Sequence, residues 1–196
     1  MLLFKVLNTD SSDDILPSSK EISLKLVFIY FTLTLICAAA YKIFGMNFFD
    51  SLTHSMTTIA TGGFSNYNES IGYFNNVKIE ITAILFIILG SIPFIAYIKF
   101  LNGNRKVFLN DTQVITFIKI TIISILIILI YLFFKLESFG LTDLRSVIFN
   151  SISILTGTGY VTGQFDQWGS FSLFYFLILM FIGGCAGSTT CGIKIF

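Results

Sequence analysis

The sequence predicts an all-α integral membrane protein built from two tandem repeats of helix, re-entrant loop and helix, and three observations predict it. The 196-residue chain is 55% hydrophobic and only 12% charged, with a mean hydropathy of +0.85, whereas soluble domains are roughly 45–50% apolar and about 25% charged. Four stretches, residues 22–44, 79–100, 112–134 and 170–196, reach the ~20 mostly apolar residues needed to cross about 30 Å of hydrocarbon. The polar segments inside the two halves, 45–78 and 135–169, resemble each other. A soluble fold would leave much of that apolar surface in water, where large patches drive association, so lipid is the expected solvent.

Residues 1–21 read as a cytoplasmic linker. Met1, Leu2, Leu3, Phe4 and Lys5 run into a polar stretch containing Pro17, which is not the charged start, apolar run and small-residue cleavage site of a signal peptide. The first repeat is placed at 22–101, with Lys25 and Lys42 near the ends of its first helix, where long side chains snorkel toward headgroups. Its second helix carries Pro93. A cytoplasmic loop follows at 102–111, and the second repeat occupies 112–196. Its last helix is interrupted by Gly183, Gly184, Gly187 and Gly192.

Lys5, Lys20 and Lys25, then Lys99, Arg105 and Lys106, with Lys119 and Lys194, fall on one side, which the positive-inside rule makes cytoplasmic. The re-entrant loops then face outward among Asp50, Glu69, Glu137, Asp143 and Asp166, and acids around a mouth concentrate cations. Trp168 reads as an interfacial anchor. A net charge of +1 leaves no surface to neutralise a run of phosphates, which argues against a nucleic-acid partner. Cys37, Cys185 and Cys191 lie in neither a C-x-x-C nor a zinc spacing, so no disulfide and no metal site is assigned.

The repeat is visible residue by residue. His54-Ser-Met-Thr-Thr-Ile-Ala-Thr-Gly-Gly-Phe64 lies over Asn150-Ser-Ile-Ser-Ile-Leu-Thr-Gly-Thr-Gly-Tyr160 at a constant offset of 96 residues. Phe48–Ile59 and Leu141–Leu155 suit short helices that enter the membrane without crossing it. Non-helical backbone at that depth is tolerated only when buried in protein or lining a watery cavity. The helix C-termini would aim partial negative charge at such a cavity, glycine adopts backbone angles other residues avoid, and inward-turned carbonyls can replace an ion's water shell.

These residues carry a family resemblance. Thr61-Gly62-Gly63-Phe64 and Thr158-Gly159-Tyr160 are similar to the filter signatures of Trk/Ktr/HKT potassium transporters, which relate to the T-V-G-Y-G loop of potassium channels, and residues 4–196 resemble the middle of a bacterial Trk-type permease. Gly183-Gly-Cys-Ala-Gly-Ser-Thr189 and Gly192-Ile-Lys194 resemble the glycine-rich break of that family's third repeat, where Thr190 and Cys191 stand in place of the usual alanine or glycine.

The resemblance implies repeats two and three of four around one pore. Potassium would be held by backbone at Ala60, Thr61, Gly62 and Gly63 and at Thr156, Gly157, Thr158 and Gly159, with the ion contacts at Thr61, Gly62, Gly157 and Thr158. A gating loop would comprise Gly183, Gly184, Gly187, Ser188, Gly192 and Lys194. Gly157 stands where the family commonly has threonine. Neither loop has the serine that accompanies sodium transport in the plant branch. The resemblance also implies potassium uptake at the bacterial cytoplasmic membrane, no cofactor, no chemistry on a substrate, a homodimer of complete permeases, and a cytosolic nucleotide-binding regulatory subunit. The alternatives are a sodium-conducting relative and a non-conducting membrane subunit. An intramembrane serine protease would have to pair Ser188 with His54, which the topology puts toward opposite faces.

Within the motifs, His54 is expected to hydrogen-bond, since Asn150 replaces it in the second copy. Asp50, Glu69 and Asp166 are expected as solvated or helix-capping carboxylates. Lys194 fits a snorkelling role or a pore-lining one equally.

Overall fold

The structure, a computed structural model, describes residues 19–136 and 138–196; the expected linker, apart from its last residues, and Glu137 lie outside the described residues. The elements run α1 (Ser19–Ile43), α2 (Phe48–Ile59), a 3-10 turn (Ser70–Phe74), α3 (Val77–Ser91), α4 (Phe94–Leu101), α5 (Val107–Asn110), α6 (Thr112–Lys135), α7 (Leu141–Leu155), a 3-10 turn (Phe165–Trp168), α8 (Ser170–Phe181), β1 (Ile182–Cys185) and β2 (Ile193–Ile195). The chain is thus an all-α membrane fold of two helix–loop–helix units, with a short parallel strand pair near its end.

Helix starts follow local chemistry. The Asn47 side chain accepts from Asp50 N at 2.7 Å to cap α2, Asp111 accepts from Gln113 N at 2.9 Å to cap α6, and Asp143 accepts from Gly140 N at 2.9 Å to open α7, each satisfying an orphan donor of a first turn or its cap. In α1 and α6 most of the apolar surface faces outward; only 17% and 28% of their most apolar windows are buried. Leu24, Val27, Phe28 and Phe31 on α1, and Ile122, Ile123 and Leu126 on α6, are exposed, as lipid-facing side chains must be.

Two of the expected spans differ from the sequence reading. Residues 79–100 are not one helix: α3 and α4 meet at an angle of 87°. Pro93 has no N–H and forces the residue before it out of the helical region, and Ile92 is accordingly extended at φ −84° and ψ 148°. Residues 170–196 form a 12-residue helix, α8, that stops at Phe181. Beyond it β1 and β2 pair in parallel, Ile182 opposite Ile193 and Cys185 opposite Ile195. A Cβ at Gly183 would stand 2.1 Å from the Cys191 carbonyl oxygen, so glycine is what lets these two segments approach.

Tyr41, Cys37, Ile59, Ala83 and Phe86 from the first unit and Phe149, Ile152 and Tyr160 from the second share one core, so the two units form one packed body. Trp168 packs inward, its ring 5.9 Å from that of Phe176, while its carbonyl accepts from Lys135 Nζ at 2.8 Å.

Candidate functional site

The two short helices end in loops with the same backbone. Ala60 N donates to Met56 O, Thr61 N to Thr58 O and Gly62 N to Thr57 O; at the same 96-residue offset, Thr156 N donates to Ile152 O, Gly157 N to Ile154 O and Thr158 N to Ser153 O. The angles repeat as well. Thr61 (φ 48°) and Gly63 (φ 67°) are left-handed, as are Gly157 (φ 71°) and Gly159 (φ 84°), and the residues between them are not. Alternating the two hands turns successive carbonyls to one side of the chain, whereas a β-strand alternates them. The cost falls on Thr61, a β-branched residue in a region that suits glycine. Gly157 is the unstrained occupant of the matching place.

The loops touch. A Cβ on Gly63 would lie 1.8 Å from the Thr158 carbonyl oxygen, so the first loop has room for hydrogen and nothing larger beside the second. Ala60, Gly62, Gly157 and Gly159 are exposed, and Thr61, Thr156 and Thr158 are buried. The side chain of Thr156 turns back to Ile152 O at 2.8 Å and meets Thr158 Oγ1 at 2.8 Å, leaving backbone, not hydroxyls, on the open face.

Each loop is pinned from behind by its own helix. His54 is fully buried; its Nδ1 lies 2.8 Å from Asp50 O and its Nε2 2.9 Å from Ser65 Oγ. Asn150, in the corresponding place, donates to Thr162 O and accepts from Thr162 N, both at 3.1 Å. Asp50 is 3% exposed and accepts from Asn66 Nδ2 at 2.9 Å and Tyr67 Oη at 2.7 Å. That bond to the carboxylate pushes the Tyr67 phenol up to about 12, so it stays protonated and donating at neutral pH. Glu69 and Asp166 are exposed and border a cavity of about 520 Å³ with Gly72, Val161 and Gln164.

The glycine-rich segment lies against both loops. Thr189 N donates to Gly90 O at 3.1 Å, and its hydroxyl proton is shared between Ile59 O at 2.8 Å and Gly90 O at 3.0 Å. Thr61 Oγ1 is 3.4 Å from Thr189 Oγ1, and a Cβ on Gly157 would be 3.2 Å from that of Cys191. Phe94 N, the first free donor after Pro93, finds Gly187 O at 3.0 Å. The broken helix and the broken loop thus satisfy each other's backbone, as membrane depth requires.

Of the other residues expected in this loop, Gly184 N donates to Thr190 Oγ1 at 2.9 Å, Gly192 has φ 86° and Gly187 φ 75°, and the half-buried Lys194 ammonium donates to the carbonyl and hydroxyl of Thr190. Ser188 bonds Cys185 O and Thr190 Oγ1, and His54 is engaged elsewhere, so these two are not brought together as a catalytic pair.

Sequence reasoning missed Glu80, Arg145, Gly90 and the linking role of Thr189. Arg145 Nε lies 2.8 Å from Glu80 Oε2, joining α7 to α3. An acid and a base on predicted membrane segments were the signal available. Their separation of 65 positions hid the pairing.

Comparisons with known proteins agree with one another. The family described as "TrkH: Cation transport protein" matches over residues 4–196. The Trk system potassium uptake protein TrkI of Halomonas elongata is 37% identical over 100% of this chain and 40% of its own length, and that named TrkH from Escherichia coli K12 is 34% identical over 91% of this chain and 38% of its own. The crystal structure of the potassium transporter TrkH from Vibrio parahaemolyticus superposes with a TM-score of 0.87 at 32% identity, over 99% of this chain and 42% of that one. The chain therefore spans about 40% of the length of such relatives. Backbone, membrane composition and sequence point one way: the chain belongs to the TrkH family of cation transport proteins.

Proposed function

We propose that this chain forms the second and third of four repeats around a potassium-conducting pore of the bacterial cytoplasmic membrane, with 22–101 and 112–196 as the repeats and 102–111 as the cytoplasmic loop between them. The duplicated loop backbone carries this reading. Left-handed residues alternating at 61 and 63 and at 157 and 159 support a reading in which the carbonyls of Ala60–Gly63 and Thr156–Gly159 turn toward one side of each loop, the arrangement that replaces a cation's water shell. The names of the relatives, all Trk potassium uptake proteins, favour potassium as the ion. The segment containing Gly183, Gly184, Gly187, Ser188, Gly192 and Lys194 acts as the gate beneath the filter.

The two remaining repeats close the ring, complete permeases pair as a homodimer, and a cytosolic nucleotide-binding subunit regulates them. The protein moves its substrate without transforming it and uses no cofactor. The test is rubidium uptake, with sodium as competitor, in potassium-uptake-deficient bacteria expressing the full-length permease with and without Gly159→Asp. Uptake that sodium barely inhibits and the substitution abolishes is expected. Sodium carried instead, or uptake indifferent to the substitution, would overturn the reading.

A further inference from the structure

Where the two repeats meet, one charged contact stands apart, among the described residues, from the apolar packing and the hydroxyl hydrogen bonds. Glu80, in the first turn of α3, is 2% exposed, and Oε2 of this carboxylate lies 2.8 Å from Nε of Arg145 on α7, whose side chain is 31% exposed. The approach is an ion contact rather than an aligned hydrogen bond. Burying such charges is costly unless they are paired, and ionisable groups on membrane segments are rarely without a role.

What Arg145 is attached to gives the contact its meaning. Five residues on, about a turn and a half of helix, Asn150 grips Thr162 by two backbone bonds. At the adjacent position, Ser146 Oγ would be 3.3 Å from a Cβ on Gly163. A shift of α7 along or about its axis would therefore be passed to the strand that leaves residues 156–160. The contact is also particular to this seam. The 96-residue offset puts Phe49 at the Arg145 position of the other copy, and Phe176 or Leu177 opposite Glu80. Among the described residues it is the one ion pair across a seam whose other polar contacts are hydroxyl and backbone hydrogen bonds, and a buried ionic contact can specify register, a role documented for buried polar groups.

We propose that Glu80 and Arg145 are a positioning pair: they hold the second short helix in register against the preceding repeat and so set the geometry of the loop at Thr156–Gly159. This rests on the pore reading above. The test uses the full-length permease and compares Glu80→Gln, Arg145→Gln, Glu80→Arg, the double neutral variant E80Q/R145Q and the exchanged pair E80R/R145E, by membrane abundance, rubidium uptake and sodium inhibition.

Each single neutralisation strands a buried charge or its partner and should lower abundance. The double neutral variant should accumulate and let sodium compete about three- to tenfold more effectively, the scale of coupling between contacting residues. The exchanged pair should recover selectivity relative to Glu80→Arg alone, which a purely structural loss would not do. Unaltered sodium competition in E80Q/R145Q, or an exchanged pair no better than the single variant, would overturn the proposal. Gly159→Asp in the same cells separates the two readings, because uptake surviving that change removes the filter itself and not merely its positioning pair.

Discussion

The loops at 60–64 and 156–160 share their backbone but not their surroundings. Tyr160 is fully buried, and its hydroxyl reaches His54 O at 3.1 Å and the Thr57 hydroxyl on the preceding helix; Phe64, its counterpart, is 77% exposed. Gly63 is pressed against Thr158 O, whereas a Cβ on Gly159 would meet nothing within 4 Å. In both cases the satisfied copy is the one that packs against the other repeat. On the pore reading, each loop would send its aromatic ring back to a preceding repeat and its second glycine forward to a following one, as Tyr160 and Gly63 do here. On the pore reading proposed above, Phe64 and Gly159 would be the places where further repeats pack.

The strongest attack on this comparison is Gly63→Ala. It places a methyl group inside van der Waals distance of Thr158 O at a φ of 67°, and uptake of rubidium by the full-length permease should fall at least about tenfold, as expected of a strained backbone that cannot relax. Gly159→Ala then sharpens it. If a following repeat approaches Gly159 as Thr158 approaches Gly63, the two alanines are equally damaging; a mild Gly159→Ala effect would mean that nothing stands there. For the aromatic end, Phe64→Cys in the full-length protein should resist a membrane-impermeant maleimide despite its exposure here, and rapid labelling would deny the preceding neighbour.

Smaller effects are expected behind the loops. Tyr160→Phe removes the hydroxyl that reaches His54 O and Thr57, and should lower thermal stability in detergent by about 1–2 kcal/mol. Thr61→Gly relieves a residue at φ 48° and should stabilise the protein in detergent by about 1 kcal/mol. Gly157→Thr should do the opposite, since its side chain would also crowd Cys191. A Gly157→Thr variant as stable as the parent would show that the second loop does not need its left-handed angle.

Much of this was legible beforehand because it is local or periodic. Apolar run length separates a lipid solvent from water, and the 96-residue repetition of Thr-Gly-Gly-Phe and Thr-Gly-Tyr is a comparison of the chain with itself. What escaped was contact between distant positions. Pro93 announced a disturbance in residues 79–100 without its size, because a proline in a helix either bends or breaks it according to what receives the freed groups. Here Gly187 O receives Phe94 N and the helix breaks. Thr189 was one small polar residue among several until its hydroxyl was seen against Ile59 O and Gly90 O.

The sequence by itself therefore determined the solvent, the helical class, the duplication and the positions where glycine would be needed, since each depends on composition or on residues within a few turns of one another. The tertiary structure alone decided the 87° break, the seating of the glycine-rich segment on both loops, the pairing of Glu80 with Arg145 and which glycine has a neighbour against it. Those depend on which buried donor meets which acceptor across some 60 to 130 positions, and membrane burial, which leaves no water to substitute, makes that matching compulsory.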